Sequence, residues 1–272
     1  MGDKMIKLIA IDLDGTLLND KKEVNPKDID YLKNLIDKGI KVAVTTGRDF
    51  FSAKSFFPDD LKLTFVTLSG NAIFDYEGNE IYANYFDYET ILKLSNFSDD
   101  NFLTHVNGYK SKYNVLMLNG NYSTEVKKYI ERFYFPVKFV DKFEKNEKYF
   151  SCVFVGDVNY LYNLSKEIEK VENNLNFYLM PTNLPEYYML EIVQGGISKF
   201  TALKRLMEKF NINNEEVMAF GDEENDMEML SSVKYGYIMK NARKTLKNKL
   251  KETAFTNNEG GVIKTIKEWD LI

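Results

Sequence analysis

The sequence predicts an α/β fold: a doubly wound, mostly parallel (Rossmann-like) sheet with a second, α+β domain inserted into it. Three observations point there. The run Ile6-Lys7-Leu8-Ile9-Ala10-Ile11 has the near-continuous apolar character of a strand covered on both faces. A helical pattern and a second apolar run complete residues 6–45, the length of one βαβ unit. Between 84 and 185 the texture changes to short strands alternating with helices, and no strand there ends in acids. The expected division is therefore a core of 1–83 with 186–272, and an insert of 84–185.

The first strand stops abruptly at Asp12-Leu13-Asp14-Gly15-Thr16. Buried charge is costly unless a cation or a hydrogen-bond network compensates it. The carboxyl ends of parallel strands are also where open α/β sheets place their ligands. Residues i and i+2 of a strand share a face, so Asp12 and Asp14 can act as a pair. Taken alone, the string also fits an ordinary Asp-Gly turn. Asn25 and Pro26 then open a helix as cap and first residue. Ile29, Leu32, Leu35 and Ile36 form its stripe, Gly39 ends it, and Ile40–Thr45 is the second strand.

That strand ends in Thr45-Thr46-Gly47-Arg48, followed by a helix to about Phe57. A hydroxyl and free N–H groups at a helix start cradle phosphate, although a Thr cap and a tight turn explain the same residues. Leu63–Leu68 is a third strand, ending in Ser69-Gly70-Asn71-Ala72, and 72–83 is a hairpin turning at Glu77-Gly78-Asn79. In the insert, helices are expected near 88–97, 123–133 and 159–172. Strands are expected near 102–106, 113–118, 150–155 and 175–180, with the charged stretch 138–149 as a loop or strand edge.

Tyr187–Val193 is expected to return to the core sheet. Ser198 can cap the next helix, whose buried stripe is Phe200, Leu203, Leu206, Met207 and Phe210. Lys199 then sits where a cation opposes the helix dipole. A bound anion would offset that mismatch, and a surface Lys would make it harmless. Glu216–Phe220 is a short buried strand running into Gly221-Asp222-Glu223-Glu224-Asn225-Asp226. An acidic first helical turn accounts for Glu223 and Glu224 but not for Asp222, which directly follows the strand; acids so close repel unless a cation intervenes. A last core strand at 234–239, a Lys-rich helix at 241–251 and a short helix at 260–269 complete the chain.

These strings, in this order, resemble the four motifs of the haloacid dehalogenase (HAD) superfamily: Asp12-Leu13-Asp14-Gly15-Thr16, then Thr46, then Lys199, then Asp222 through Asp226. Within it, Thr46-Gly47-Arg48 and the GDxxND pattern at 221–226 are similar to the Cof-type phosphatase branch, which carries a cap domain where this chain has its insert. The resemblance implies a Mg²⁺-dependent phosphatase acting on a small phosphorylated metabolite such as a sugar phosphate. Asp12 would be the nucleophile, forming an aspartyl-phosphate, and Asp14 the proton donor. Thr46, Gly47, Arg48, Lys199 and Asn225 would hold phosphate or substrate. The metal would be held by Asp12, Asp14 (through its main-chain carbonyl), Asp222 and Asp226, the last as a ligand or a ligand's partner. A phosphomutase on the same residues, or a non-catalytic phosphometabolite sensor, are the alternatives. Where Cof-type relatives have Asn then Gly, this chain has Gly70 then Asn71, and no contact is assigned to Asn71.

Composition narrows the chemistry further. The 272 residues carry a net charge of -5, one Cys and one His. A Cys/His zinc cluster and a Cys-x-x-Cys redox pair are excluded. Cys152 and His105 are expected to be structural. Any metal is then a hard cation with oxygen ligands, which favours Mg²⁺. The negative balance argues against nucleic acid as a partner. No apolar stretch has membrane-spanning length and no signal-peptide pattern opens the chain, so a cytoplasmic protein is expected; the oligomeric state stays open, with a monomer as the default.

Overall fold

The computed structural model describes residues 6–97, 102–106, 115–118, 122, 124–131, 137–182, 186–248, 250–253 and 255–272. They fall into two compact units, one ending at Tyr82 and resuming at Ile197, the other running from Ala83 to Gly196.

The first unit opens with β1 (Leu8–Asp12), α1 (Pro26–Asp37), β2 (Lys41–Thr45), α2 (Phe50–Lys54), β3 (Thr64–Thr67), β4 (Ala72–Phe74) and β5 (Glu80–Ala83). All five residues of β1 are buried, as the apolar run requires. Asn25 caps α1 by accepting from the Lys27 N–H at 3.0 Å, and Leu32 and Leu35 form its buried side. Helix α2 stops at Lys54, short of Phe57. Pro58 drives the residue before it out of the helical region, and Lys54 Nζ donates to the carbonyls of Pro58 and Asp59.

The second unit contains α3 (Tyr88–Ser95), β6 (Phe102–Val106), β7 (Val115–Leu118), α4 (Thr124–Ile130), β8 (Val137–Val140), β9 (Tyr149–Gly156), α5 (Val158–Val171), β10 (Leu175–Pro181) and β11 (Tyr188–Gln194). Its strands lie in the order β10-β11-β9-β6-β7-β8, antiparallel except for β7 and β8. Cys152 is fully buried in β9, and His105 lies in β6 opposite Ser151. Parts of the segments expected at 113–118 and 123–133 reach residues outside the described ones, and the helix expected at 88–97 is Tyr88–Ser95. The expectation for 187–193 is overturned. The apolar run 187–193 does not return to the core sheet: β11 pairs with β9 and β10, Ile192 opposite Cys152 and Leu190 opposite Leu179. The second unit thus ends at Gly196 rather than at 185. An apolar run marks a buried strand without saying which sheet buries it.

The first unit resumes with α6 (Lys199–Phe210), β12 (Val217–Gly221), α7 (Met227–Ser232), β13 (Tyr235–Ile238), α8 (Lys244–Lys247), β14 (Lys251–Glu252) and α9 (Gly261–Lys267). The Lys-rich helix expected over 241–251 shrinks to the four residues of α8. Its last residue, Lys251, instead pairs with β13 in a strand beyond the one expected to be last. The core sheet has the order β14-β13-β12-β1-β2-β3-β4-β5, parallel from β14 to β3 and antiparallel at β4. The chain leaves β1 toward β2 on one side and comes back at β12 on the other. The tips of β1, β2 and β12 therefore flank the topological switch point. Ala219, Ala10 and Ala43 align across these three strands, and these small side chains join Leu203 and Leu206 of α6 in one buried cluster. Helix α6 is thereby seated with its first residue, Lys199, at the switch point. Among the described residues no helix is long and apolar enough to cross a membrane.

Candidate active site

Asp12 closes β1 with its side chain 7% exposed, and Lys199 reaches it from the start of α6. Ser198 fixes that start through a reciprocal pair of hydrogen bonds with Thr201. Lys199 Nζ donates to Asp12 Oδ1 and to Asp226 Oδ1, both at 2.7 Å. The other oxygen of Asp226 accepts from the backbone N–H groups of Asp222 and Glu223 at 3.1 Å, folding the turn after β12 back on itself. Asp222, at the tip of β12, accepts from the Thr16 hydroxyl at 2.8 Å. Carboxylate oxygens of Asp12, Asp222 and Asp226 all lie within 4.8 Å of one another. Gly15 lies against this cluster. It has φ +81°, and a Cβ there would come within 2.2 Å of Asp222 Oδ2.

Asp14 has a different environment. Its carboxylate is gripped by Arg48 in a two-pronged pair, Nε to Oδ2 at 2.6 Å and Nη2 to Oδ1 at 2.8 Å, and by Lys22 Nζ at 2.7 Å. Burial opposes its ionisation, but the two cations prevail and hold the carboxyl down at about 2. Arg48 is steadied in turn by Ser52 Oγ and by the ring of Phe56, 4.9 Å from the guanidinium carbon. Thr46 is buried at the tip of β2, and its hydroxyl accepts from the Arg48 N–H, which leaves the hydroxyl hydrogen to donate. Gly47 follows it in the turn between β2 and α2. Asn225 lies exposed in a 3₁₀ turn between Asp222 and Asp226. Of the expected residues, Asp12, Lys199, Asp222 and Asp226 thus share one buried cluster. The carboxylate of Asp14 stands with Arg48 instead, so any ligation by Asp14 falls to its main-chain carbonyl. Thr16 lies within the first motif, but neither its bond to Asp222 nor the pairing of Lys22 with Asp14 has a signal in the sequence.

The reversed Gly70-Asn71 order has a steric reason. The turn after β3 places Leu68, Ser69 and Gly70 in succession at positive φ (50°, 55° and 104°). It is pinned to the tip of β2 by Ser69 N–H to Thr46 O and Leu68 N–H to Arg48 O, both 3.0 Å. A Cβ at position 70 would meet Ser198 O at 2.2 Å. Asn71 is fully buried and follows with ordinary backbone angles. Gly70→Ala is therefore expected to lower stability by at least about 2 kcal/mol, since left-handed backbone and a backbone clash add. Urea unfolding checks this; an unchanged midpoint would show that the turn does not press on Ser198.

The acidic cluster suits a divalent cation. When all three are ionised, three carboxylates against one ammonium leave two negative charges uncompensated in a buried place, and all the donors are hard oxygens. Burial drives Asp12 well above its ordinary range against the pull of Lys199, and Asp226 and Asp222 push the same way. Burial likewise raises Asp222 from 3.8 to about 7, with Asp226 and Glu223 adding to it and Thr16 opposing. Lys199 is disfavoured as a cation by burial, but Asp12 and Asp226 outweigh this and raise it above its usual value.

These raised acids stabilise the fold only while protonated. The contribution of Asp222 is complete below 3.8 and lost as pH climbs through about 7. Asp14, held at about 2, acts below that window. Metal-free protein is expected to melt at a lower temperature at about pH 8 than at about pH 5, and Mg²⁺ to raise the melting temperature more at the higher pH, where it displaces fewer protons. Equal Mg²⁺ shifts at both pH values would place the cation elsewhere.

A profile of the haloacid dehalogenase-like hydrolases matches residues 9–266. Two relatives from Bacillus subtilis are described as 5-amino-6-(5-phospho-D-ribitylamino)uracil phosphatases. YcsE is 29% identical over 274 residues, covering 99% of this chain and 98% of its own. YitU is 27% identical over 279 residues, covering 96% and 97%. The crystal structure of SMU.1108c from Streptococcus mutans superposes with a TM-score of 0.79 at 25% identity, covering 98% of this chain and all of that one.

Proposed function

The chain belongs to the haloacid dehalogenase-like hydrolase family, and from that premise we propose that it is a Mg²⁺-dependent phosphatase of a small phosphorylated metabolite, with Asp12 as nucleophile. The observation that carries this reading is the ammonium of Lys199 clamped between Asp12 and Asp226, with Asp222 beside them, at the sheet's switch point. A structural ion pair has no need of three buried carboxylates. Burying them without a cation is unfavourable.

In the first step a carboxylate oxygen of Asp12 bonds to phosphorus in line as the ester oxygen departs, and Asp14 gives its proton to that oxygen. In the second, Asp14 takes a proton from water, the water oxygen bonds to phosphorus, and the Asp12 carboxylate leaves. Lys199 opposes the protonation that burial favours at Asp12 and orients its carboxylate. The Thr46 hydroxyl, the Gly47 N–H and Asn225 are suited to the phosphoryl oxygens. Mg²⁺, held by Asp12, Asp222 and the main-chain carbonyl of Asp14, would neutralise charge so that a phosphate dianion can approach a carboxylate. Both oxygens of Asp226 are already engaged by Lys199 and two N–H groups, so Asp226 positions its neighbours rather than ligating. Asp14 must leave its grip to carry a proton. A phosphate dianion that competes for Arg48 supplies the means.

The test is phosphate release from p-nitrophenyl phosphate, a panel of sugar phosphates and 5-amino-6-(5-phospho-D-ribitylamino)uracil, the last because two relatives are named for it. Release that stops on chelation and returns with Mg²⁺ is expected. Thermal stabilisation by a metabolite without release would identify a sensor instead, and migration of phosphate within one sugar would identify a mutase.

A further inference from the structure

Two asparagines outside the four motifs hold the loop that follows Asp14. Asn241, just past β13, donates from Nδ2 to the carbonyl of Gly15 at 2.7 Å. Its Oδ1 accepts from the backbone N–H of Asn257 at 3.0 Å. The buried side chain of Asn257 donates to the carbonyl of Leu18 at 3.0 Å and to Asp20 Oδ1 at 3.2 Å, and Asn258 exchanges two further hydrogen bonds with Asp20. The contacts to Gly15, Leu18 and Asp20 join residues more than 220 positions apart. Meanwhile Thr16 ties the same loop to Asp222. The 15–20 loop is thus held on one side by Asp222 and on the other by a relay of amides.

We propose that Asn241 and Asn257 form a brace that positions the Gly15 peptide for phosphoryl transfer, making Asn241 a positioning residue of the reaction. The argument is geometric. Gly15 lies closer to Asp222 than any side chain would allow, so a small rotation of its peptide changes both its separation from Asp222 and the direction of the adjoining Asp14 carbonyl. The Gly15 carbonyl is the handle on that rotation, and Asn241 is the group that holds it. The inference rests on the phosphatase reading, since it concerns the placement of groups assigned to that chemistry.

The decisive variants are Asn241→Asp and Asn241→Ala. The aspartate keeps the acceptor for the Asn257 N–H but loses the donor to Gly15, so it isolates the contact in question. Both are expected to lower kcat about tenfold and to raise the Mg²⁺ concentration for half-maximal activity by a similar factor, as changes to groups that orient ligands do. KM should change less than about twofold. In metal-free protein, hydrogen exchange at residues 15–18 should accelerate in both variants, while exchange in β12 does not. Wild-type kcat and Mg²⁺ dependence in Asn241→Asp would overturn the proposal. So would a loss of activity that only follows the melting temperature and vanishes on cooling. If the unaltered protein releases no phosphate from any ester, exchange at 15–18 and the Mg²⁺-induced melting shift still decide whether the brace exists, separately from the function.

Discussion

Asp12→Asn is expected to reduce turnover by at least about 10⁴-fold, the scale on which loss of a covalent nucleophile acts, while the protein stays folded. The amide has the size of the carboxylate and can still face Lys199, but it does not attack phosphorus. It also removes one of three crowded buried negative charges. Burial already pushes the Asp12 carboxyl toward its neutral form, so the metal-free variant should melt at or above the temperature of the unaltered protein. Phosphate release and calorimetry read the two effects separately. Activity within about tenfold of normal would remove Asp12 as nucleophile. A large fall in melting temperature would mean that its charge serves the fold.

Lys199→Met should do the reverse to stability. Lys199 is 2% exposed and donates to two carboxylates that are themselves almost wholly buried. Removing one partner of a buried ion pair leaves uncompensated charge, at a cost of about 3–5 kcal/mol. Here one cation serves two acids, so the upper part of that range is expected without metal, and saturating Mg²⁺ should recover part of it. Turnover should fall by about 10²–10³-fold, the usual consequence of losing one preorganised charge at a reacting centre. Urea titrations with and without Mg²⁺ test the first claim. A variant as stable as the parent in chelator would show that the three acids do not repel one another as their burial implies.

The part of this site that sequence made legible is the part that local chemistry dictates. A buried strand ending in Asp12 is costly unless something compensates it, and that reasoning located the tips of β1 and β12. Helix signals placed Lys199 at a helix start, and Ser198 does cap that helix. What stayed hidden depends on partners far apart in the chain. The i, i+2 spacing puts Asp12 and Asp14 on one face of an ideal strand. However, β1 ends at Asp12, and Arg48 and Lys22 claim Asp14 beyond it. The run 187–193 carries the same apolar signature as β1, and only pairing with β9 and β10 assigns it to the second sheet. Asn241 and Asn257 look like any turn-forming asparagines until their donors are traced to Gly15 and Leu18. The Gly70-Asn71 order is readable only once Ser198 is seen to fill the space where a Cβ would go.

The stereochemical course at phosphorus separates covalent transfer from direct hydrolysis. A substrate made chiral at phosphorus by isotopic substitution, turned over once by the Mg²⁺-loaded protein, should give product with net retention, because attack by Asp12 and then by water inverts the centre twice. Net inversion would mean that water reaches phosphorus directly and that Asp12 never carries the phosphoryl group.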